Sequence, residues 1–251
     1  MIEYEHPFNE YTRTLLRLND LYQRYSFFLA QDSAWDHHVA LINLFELADI
    51  ASRSDLKADI IKELDKQRKT LKKYYANPNI EIQQLDRVLK DIESALLALD
   101  QHLGKSTSTL LNDEWLMGIR SRTHIPGGTC SFDLPSYYAW QHLPTQKRRE
   151  DVQSWFSNFL PLQRAAALIL HLMRSSGSPV EVVAKNGCYQ QMLTGKIFQL
   201  MRIKMTSDIS VIPEMSANKY LIWIRFMRQH STSKPQAITD TDIPFSITLC
   251  H

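Results

Sequence analysis

The chain has 251 residues, 44% hydrophobic and 22% charged, a composition ordinary for a globular protein of one or two domains. It has no run of about 18 apolar residues and an acidic N-terminus, so we expect neither a membrane-spanning helix nor a signal peptide. The formal net charge of +2 demands no nucleic-acid partner, and three widely spaced cysteines indicate a reducing, cytoplasmic compartment without disulfides.

Apolar residues at three- and four-residue spacing predict helices throughout the first half of the chain. The predicted N-caps of the first three helices are Asn9, Ser33 and Ser54. The third helix ends at residues 77–79, and the fourth runs from about residue 80 to a C-terminal Gly104. A short turn joins these two helices, which predicts an antiparallel hairpin, and a short helix near 113–122 follows.

The third helix carries a stripe of lysines at four-, three- and four-residue spacing: Lys62, Lys66, Lys69 and Lys73. One interpretation is a solvated helix face, partly paired with Asp59, Glu63 and Asp65. The alternative is a contact surface for an acidic partner or for a second subunit. The spacing alone leaves both interpretations open.

Residues 125–144 concentrate proline, glycine and aromatic side chains, which predicts a structured junction rather than a plain linker. Two helices are predicted after it, at about 147–160 and 162–175, separated by Pro161. Short β-branched and aromatic segments then predict strands at 179–184, 197–205, 209–212, 220–227 and 245–250.

Strands that follow one another without intervening helices imply an antiparallel sheet. We therefore predict an α+β fold, with an N-terminal helical domain that contains a long helical hairpin and an antiparallel β-sheet in the C-terminal half. The expected domains are 8–122 and 123–251, with residues 1–7 as a candidate further strand of the sheet.

No catalytic, metal or cofactor motif is found, so we predict a protein without enzymatic activity or a cofactor. His37 and His38 are neighbours in a helix and point to different faces, which does not favour a shared metal. Cys130 lies near Asp133 and two histidines, but a cysteine in an aromatic-rich turn is more typical of a small buried side chain than of a nucleophile.

Charge is distributed unevenly along the chain. Residues 1–144 contain 16 Lys and Arg against 20 Asp and Glu, whereas residues 145–251 contain 13 against 7. The second half is therefore the better candidate surface for an acidic partner, and a binder of nucleic acid or of another acidic peptide is the alternative function. A net +6 over that half is weak for a protein that binds duplex DNA.

Basic and aromatic residues alternate in segment 219–228. Its odd-numbered residues share one face of a strand, with Trp223 in the middle and charge at both ends: Lys219, Leu221, Trp223, Arg225 and Met227. One interpretation turns this face toward the core, with the charges at its ends; the other makes it a binding platform.

Several separate motifs follow one another along the chain in the same order as in a known protein family. They include Glu5-His6-Pro7-Phe8-Asn9-Glu10, Leu16-Arg17, Lys62-Glu63-Leu64-Asp65-Lys66-Gln67, Ile125-Pro126-Gly127-Gly128, Cys130-Ser131-Phe132-Asp133-Leu134-Pro135, Asn186-Gly187 and Ile224-Arg225-Phe226-Met227. On these residues the chain resembles the ZapD family, the Z-ring-associated protein D of cell division, nearly from end to end.

The resemblance implies a non-enzymatic cytoplasmic protein at the mid-cell division site. It implies binding to the C-terminal tail of FtsZ, the tubulin-like division GTPase, and a homodimer that cross-links and bundles FtsZ filaments. No membrane partner is expected. Basic residues recognise the tail in this family, and the matching or neighbouring positions here are Arg17, Arg53, Arg120, Arg122, Lys219 and Arg225.

Overall fold

The computed structural model describes residues 1–101, 108–206, 210–229 and 234–251. An N-terminal strand is followed by helices and then by strands, as the predicted α+β class requires. The helices are α1 (Glu10–Ala30), α2 (Ala34–Ala51), α3 (Ser54–Lys72), α4 (Ile82–Gln101), α5 (Ser108–Leu111), α6 (Glu114–Thr123), α7 (Pro135–Gln141), α8 (Thr145–Phe156) and α9 (Leu160–Ser175). Two 3-10 turns, Lys73–Ala76 and Ser157–Phe159, extend α3 and precede α9.

The strands are β1 (Ile2–Pro7), β2 (Pro179–Ala184), β3 (Cys188–Met192), β4 (Leu200–Met205), β5 (Val211–Ala217), β6 (Leu221–Arg228), β7 (Gln236–Ala237) and β8 (Ile243–Cys250). By its internal contacts the chain divides into two compact units. The sheet unit consists of residues 1–14 and 170–251, and the helical unit consists of residues 15–169. The junction 125–144 therefore belongs to the helical unit, whereas the sequence placed it in the second domain.

Side-chain caps fix the starts of the first two helices where the sequence predicted them. The Thr12 amide donates to Asn9 Oδ1 at 2.8 Å, and the Trp35 amide donates to Ser33 Oγ at 3.1 Å. The third prediction was one residue late, because Arg53 rather than Ser54 occupies the N-cap position of α3. The predicted C-cap of α4, Gly104, lies outside the described residues.

Helices α3 and α4 pack against each other as the predicted hairpin. Its inward face is apolar, with Leu56, Ile60, Leu64, Leu85, Leu89, Ile92 and Leu99 all buried. Along the described residues, no helix combines the length and the apolar character that crossing a bilayer requires.

The junction is built from successive turns that lead into α7, a helix that the sequence did not predict. Pro135 occupies the first turn of α7, where its missing amide proton costs no hydrogen bond. Pro161 is likewise in the first turn of α9, so it opens that helix instead of separating two helices. In both cases the proline marks where a helix begins.

Within its described residues the sheet unit contains two antiparallel four-stranded sheets, one more than predicted. The first has the strand order β1-β4-β8-β2. In the second, β6 lies between β5 on one side and β3 followed by the short β7 on the other. One cluster of apolar side chains fills the space between the sheets, and it includes Met201, Ile203, Ile222, Ile224, Phe226 and Phe245. In β4, Met201, Ile203 and Met205 are buried while Lys204 is exposed.

A tight turn connects the two sheets. Asn186 and Gly187 both have positive φ, at 49° and 70°, as a two-residue hairpin turn requires. Lys185 and Cys188 form a single bridge across it. Beyond that bridge the strands separate, because β2 pairs with β8 and β3 pairs with β6.

Candidate partner-binding site

The even-numbered residues of β6 face the core, and its odd-numbered residues do not. Ile222, Ile224 and Phe226 are fully buried, whereas Trp223 and Arg225 are half-buried. The interpretation that the Trp223 face is turned toward the core is therefore wrong. Both sets of residues are largely apolar, so the period of two predicted the strand but not which face is inside.

Register extends this half-exposed surface across three strands. We call it the outer face and define it by residues that lie side by side: Cys188, Gln190 and Met192 on β3, Leu221, Trp223, Arg225 and Met227 on β6, and Ile212, Glu214 and Ser216 on β5. Its middle contains Trp223 and the cation Arg225. Met192, at its margin, is 77% exposed.

Arg225 stacks on Trp223, with its guanidinium carbon 4.5 Å from the ring centroid. A cation above an indole face is attracted by the ring, and this holds the planar guanidinium in place without consuming its N–H groups. Within the described ranges, no carboxylate forms an ion pair with Arg225, although Glu214 lies opposite it on β5. Arg225 is therefore positioned and still able to bind an external carboxylate.

Lys219 lies in the turn that leads into β6. Its ammonium nitrogen is 4.8 Å from the centroid of the exposed Tyr220 ring. Asn218 orders this turn, because its side-chain oxygen accepts from the amides of Tyr220 and Leu221 at 2.8 and 3.0 Å. The sheet unit thus presents two ordered cations, Lys219 and Arg225, at the start and in the middle of one strand.

The two predicted arginines of α6 are neutralised by acids within the helical unit. Arg120 forms an ion pair with Asp49 of α2. Arg122 bonds to Asp133 of the junction at 3.2 Å, and the same carboxylate accepts from Cys130 at 3.4 Å. Each therefore has a local structural partner, and Cys130 is part of this junction network.

The remaining two predicted arginines are exposed in the helical unit. Arg17 lies on α1 and has contacts of its own within the chain. Arg53 precedes α3, and its amide donates to Ile50 near the carboxyl end of α2. Because Arg120 binds Asp49 in the same turn, Arg53 and Arg120 lie near one another at this helix end.

The lysine stripe is an exposed face that is paired in part with neighbouring acids. Lys66 lies 3.1 Å from Glu63, and Lys69 lies 3.3 Å from Asp65. Lys73 falls in the 3-10 turn beyond α3. The solvated-face interpretation is supported by these two ion pairs, each of which joins residues one helical turn apart.

Sequence reasoning missed Arg148 and Arg149, which anchor α8. Arg148 is buried and donates to the carbonyls of Asp32, Gln141 and Leu143 and to His37 Nδ1. Arg149 donates to the last carbonyls of α1, including Leu29 at 3.0 Å. These bonds satisfy acceptors left open at helix ends. The adjacent arginines in the sequence resembled ordinary surface charge, so only the tertiary contacts identify them.

The histidine pair is divided between two faces, as predicted. His37 bonds to Arg148 and to the Gln31 carbonyl, while His38 bonds to the Tyr137 hydroxyl at 2.6 Å. Burial lowers the pKa of both histidines, and the nearby charges of Arg148 and Arg149 lower the pKa of His37 further. Across the described part of the chain, no three His, Cys, Asp or Glu side chains converge in a way that could hold a metal ion.

The chain matches a known protein family along most of its length. The family model ZapD, described as a cell division protein, matches residues 16–225. That range includes all six predicted binding residues, the junction and β6.

Proposed function

Because the chain belongs to the ZapD family of cell division proteins, we propose that it binds the C-terminal tail of FtsZ and cross-links FtsZ filaments as a homodimer. It acts in the cytoplasm at the mid-cell division site and stabilises the Z-ring without enzymatic activity. The family match carries the assignment to cell division. The chemistry of the outer face supports the finer assignment to a peptide partner.

The single structural observation that carries the binding site is the Arg225–Trp223 stack. The tail of any protein ends in a carboxylate, and an arginine fork binds a carboxylate through two parallel hydrogen bonds. Arg225 is ordered by Trp223 and has no internal acid partner among the described residues, so binding requires no internal ion pair to break. We assign Arg225 and Lys219 to direct contact with the tail.

The four predicted arginines of the helical unit have other roles in this proposal. Arg120 and Arg122 are held by Asp49 and Asp133, so we assign them to positioning α6 and the junction. Arg17 and Arg53 remain exposed on the helical unit and are proposed as additional contacts of the tail. A weak single contact suffices, because filaments present many tails and a symmetric dimer offers two equivalent sites.

The experiment is co-sedimentation of Arg225→Glu with FtsZ filaments. We expect this variant to lose most of the pelleting and bundling that wild type shows, because it replaces the cation that binds the tail carboxylate with an anion. Wild type tested with FtsZ lacking its tail should show the same loss.

Arg228→Glu is the matched control, since it makes the same charge change at the end of β6 on the opposite side of the strand. Retention of wild-type pelleting by Arg225→Glu, or its loss in Arg228→Glu alone, would contradict the site. Pelleting of wild type with tail-less FtsZ would contradict the proposed partner.

A second candidate function rests on the same stack. Proteins that bind single-stranded nucleic acid also use neighbouring arginine and tryptophan side chains: the tryptophan stacks on a base and the arginine contacts a phosphate. This alternative predicts a gel shift with single-stranded DNA or RNA that weakens steeply as salt rises. A salt-sensitive shift lost in Arg225→Glu, with unchanged FtsZ pelleting, would favour it.

A further inference from the structure

The outer edge of β3 carries main-chain groups that no other strand uses. The Leu193 amide donates to Tyr220, and the Phe226 amide donates to Gly187, at 2.7 and 2.8 Å. In an antiparallel ladder every second residue of a strand is hydrogen-bonded to its partner strand. Since Gly187 and Leu193 are bonded in this way, Tyr189 and Gln191 between them also bond to β6. The amide and carbonyl groups of Gln190 and Met192 therefore point away from β6, to the open side.

Nothing in the described chain covers this edge. The partner hairpin strand β2 leaves after the single Lys185–Cys188 bridge and pairs into the other sheet. Gln190 and Met192 are exposed on the surface. Natural edge strands are usually protected by lysine, proline or a bulge, and the β3 segment Cys-Tyr-Gln-Gln-Met contains no lysine or proline.

The free edge borders the outer face that contains Arg225. Cys188 on β3 is the register partner of Arg225, and Gln190 is that of Trp223. A strand added beside β3 would place alternate side chains on the outer face, about one strand spacing of 4.8 Å beyond Cys188 and Gln190. A carboxylate at one of those positions faces Arg225 across a single intervening strand.

We infer that an extended segment of the FtsZ tail binds by adding as a strand to the free edge of β3, with its carboxylate directed to Arg225. This inference rests on the proposed function and names its recognition mode. The main-chain hydrogen bonds of Gln190 and Met192 supply affinity, and Arg225 on the outer face selects a segment that carries a carboxylate. Charge complementarity and the open backbone edge together identify the occupant as an extended acidic peptide.

Proline at position 190 tests the edge directly. Gln190→Pro removes an amide proton that the β6 ladder does not use, at an edge position where proline is tolerated in sheets. We expect its affinity for a synthetic FtsZ tail peptide, measured by fluorescence anisotropy, to fall about fivefold or more, the equivalent of one lost hydrogen bond. Gln190→Ala keeps the amide and should lose less affinity than Gln190→Pro, so the difference between the two variants measures the main-chain contribution.

Amide hydrogen exchange in the wild-type protein provides a second readout that does not depend on a variant folding. Saturating tail peptide should slow exchange in the peptide fragment that contains Gln190 and Met192. Unchanged exchange there, or equal affinity of Gln190→Pro and wild type, would overturn strand addition. Strand addition by the tail would also be overturned if the amides of Gln190 and Met192 exchanged slowly without peptide and lost this protection when the protein was diluted. A second copy of the chain would then occupy the edge of β3.

The two proposals fail differently. If Arg225→Glu abolishes binding while Gln190→Pro does not, the FtsZ assignment stands and strand addition is wrong. If wild type binds neither the tail peptide nor FtsZ filaments, the proposed function itself is wrong. A loss in both variants supports the two together.

Discussion

Arg148 donates to three main-chain carbonyls and one histidine although only 6% of its surface is exposed. Among the described residues no carboxylate forms an ion pair with Arg148, so the guanidinium charge is balanced by carbonyl dipoles at the ends of α1 and α7. His37 must accept from Arg148 Nε at Nδ1, and it therefore donates from Nε2 to the Gln31 carbonyl. This pattern requires a neutral imidazole.

The neutral state of His37 makes the helical unit sensitive to acid. Burial, with the charges of Arg148 and Arg149, holds the pKa of His37 below the ordinary 6.5. Because the unfolded chain takes up this proton at higher pH than the folded chain, stability is full above pH 6.5 and is lost as pH falls through the folded pKa. Urea unfolding of wild type between pH 7.5 and 5 should show this loss.

The contribution of His37 is isolated by replacement with glutamine, which does not titrate. His37→Gln should flatten the pH dependence of the unfolding free energy, although His6 and His38, whose pKa values are also lowered by burial, retain part of it. His142→Gln, at an exposed position, should leave the wild-type slope. If the unfolding free energy of His37→Gln depended on pH as steeply as that of wild type, His37 would not be a source of the acid sensitivity.

At the level of elements, the sequence correctly predicted those helix and strand ends that depend on residues close to one another in the chain. The Ser33 cap and the limits of β2 at 179 and 184 match the structure, because a capping hydroxyl and a flanking proline act within a few residues. Helix α7 was missed because its 7 residues are too few to show the three- and four-residue spacing of apolar side chains that identifies a helix. Strand β3 was missed because Cys-Tyr-Gln-Gln-Met shows no clear alternation of apolar and polar residues, and its position is set by pairing with β6.

The candidate site was predictable only in part for the same reason. The sequence identified Arg225 and Trp223 as neighbours on one face, which the geometry bears out. It could not show that Asp49 and Asp133 neutralise Arg120 and Arg122, because those acids are 71 and 11 residues distant in the chain. Long-range pairing therefore distinguishes the available cations from the occupied ones.

The turn between β2 and β3 is the element on which the two sheets depend, and Gly187 tests it. Its φ is 70°, and a Cβ there would lie 2.2 Å from the Ile238 carbonyl oxygen. Gly187→Ala should therefore suffer both backbone strain and a clash with backbone. We expect the unfolding free energy of this variant, measured by urea titration, to fall by about 2–4 kcal/mol.

Gly195 is the matched control within the same unit. It has a similar φ of 74°, but a Cβ there meets no atom within 4 Å. Gly195→Ala should lose only the strain energy, about 1 kcal/mol. Equal destabilisation of the two variants would mean that conformation alone, rather than the approach of Ile238, requires Gly187.

At the scale of the whole molecule, chain order and spatial grouping differ. The N-terminal strand β1 pairs with β4, so the sheet unit is built from residues at both ends of the chain, whereas the helical unit is one continuous stretch of sequence. The β1–β4 pair is reinforced by charge, since Glu5 of β1 lies 3.4 Å from Arg202 of β4, and Glu5 also binds Arg174 of α9 at 2.7 Å. The proposed binding strand β6 is thus carried on a sheet unit with its own core and its own ion pairs.

Filament cross-linking by a homodimer makes a quantitative prediction at this scale. A dimer bridges two filaments only if both of its sites bind, so a dimer with one defective subunit should attach to one filament without bundling. When wild type and Arg225→Glu are co-expressed in equal amounts and assort randomly, about one quarter of the dimers carry two intact sites. Bundling measured by light scattering should fall to about that fraction of the wild-type value at equal total protein. A fall to about one half would instead indicate that each intact subunit acts alone, because half of all subunits remain wild type whatever their pairing.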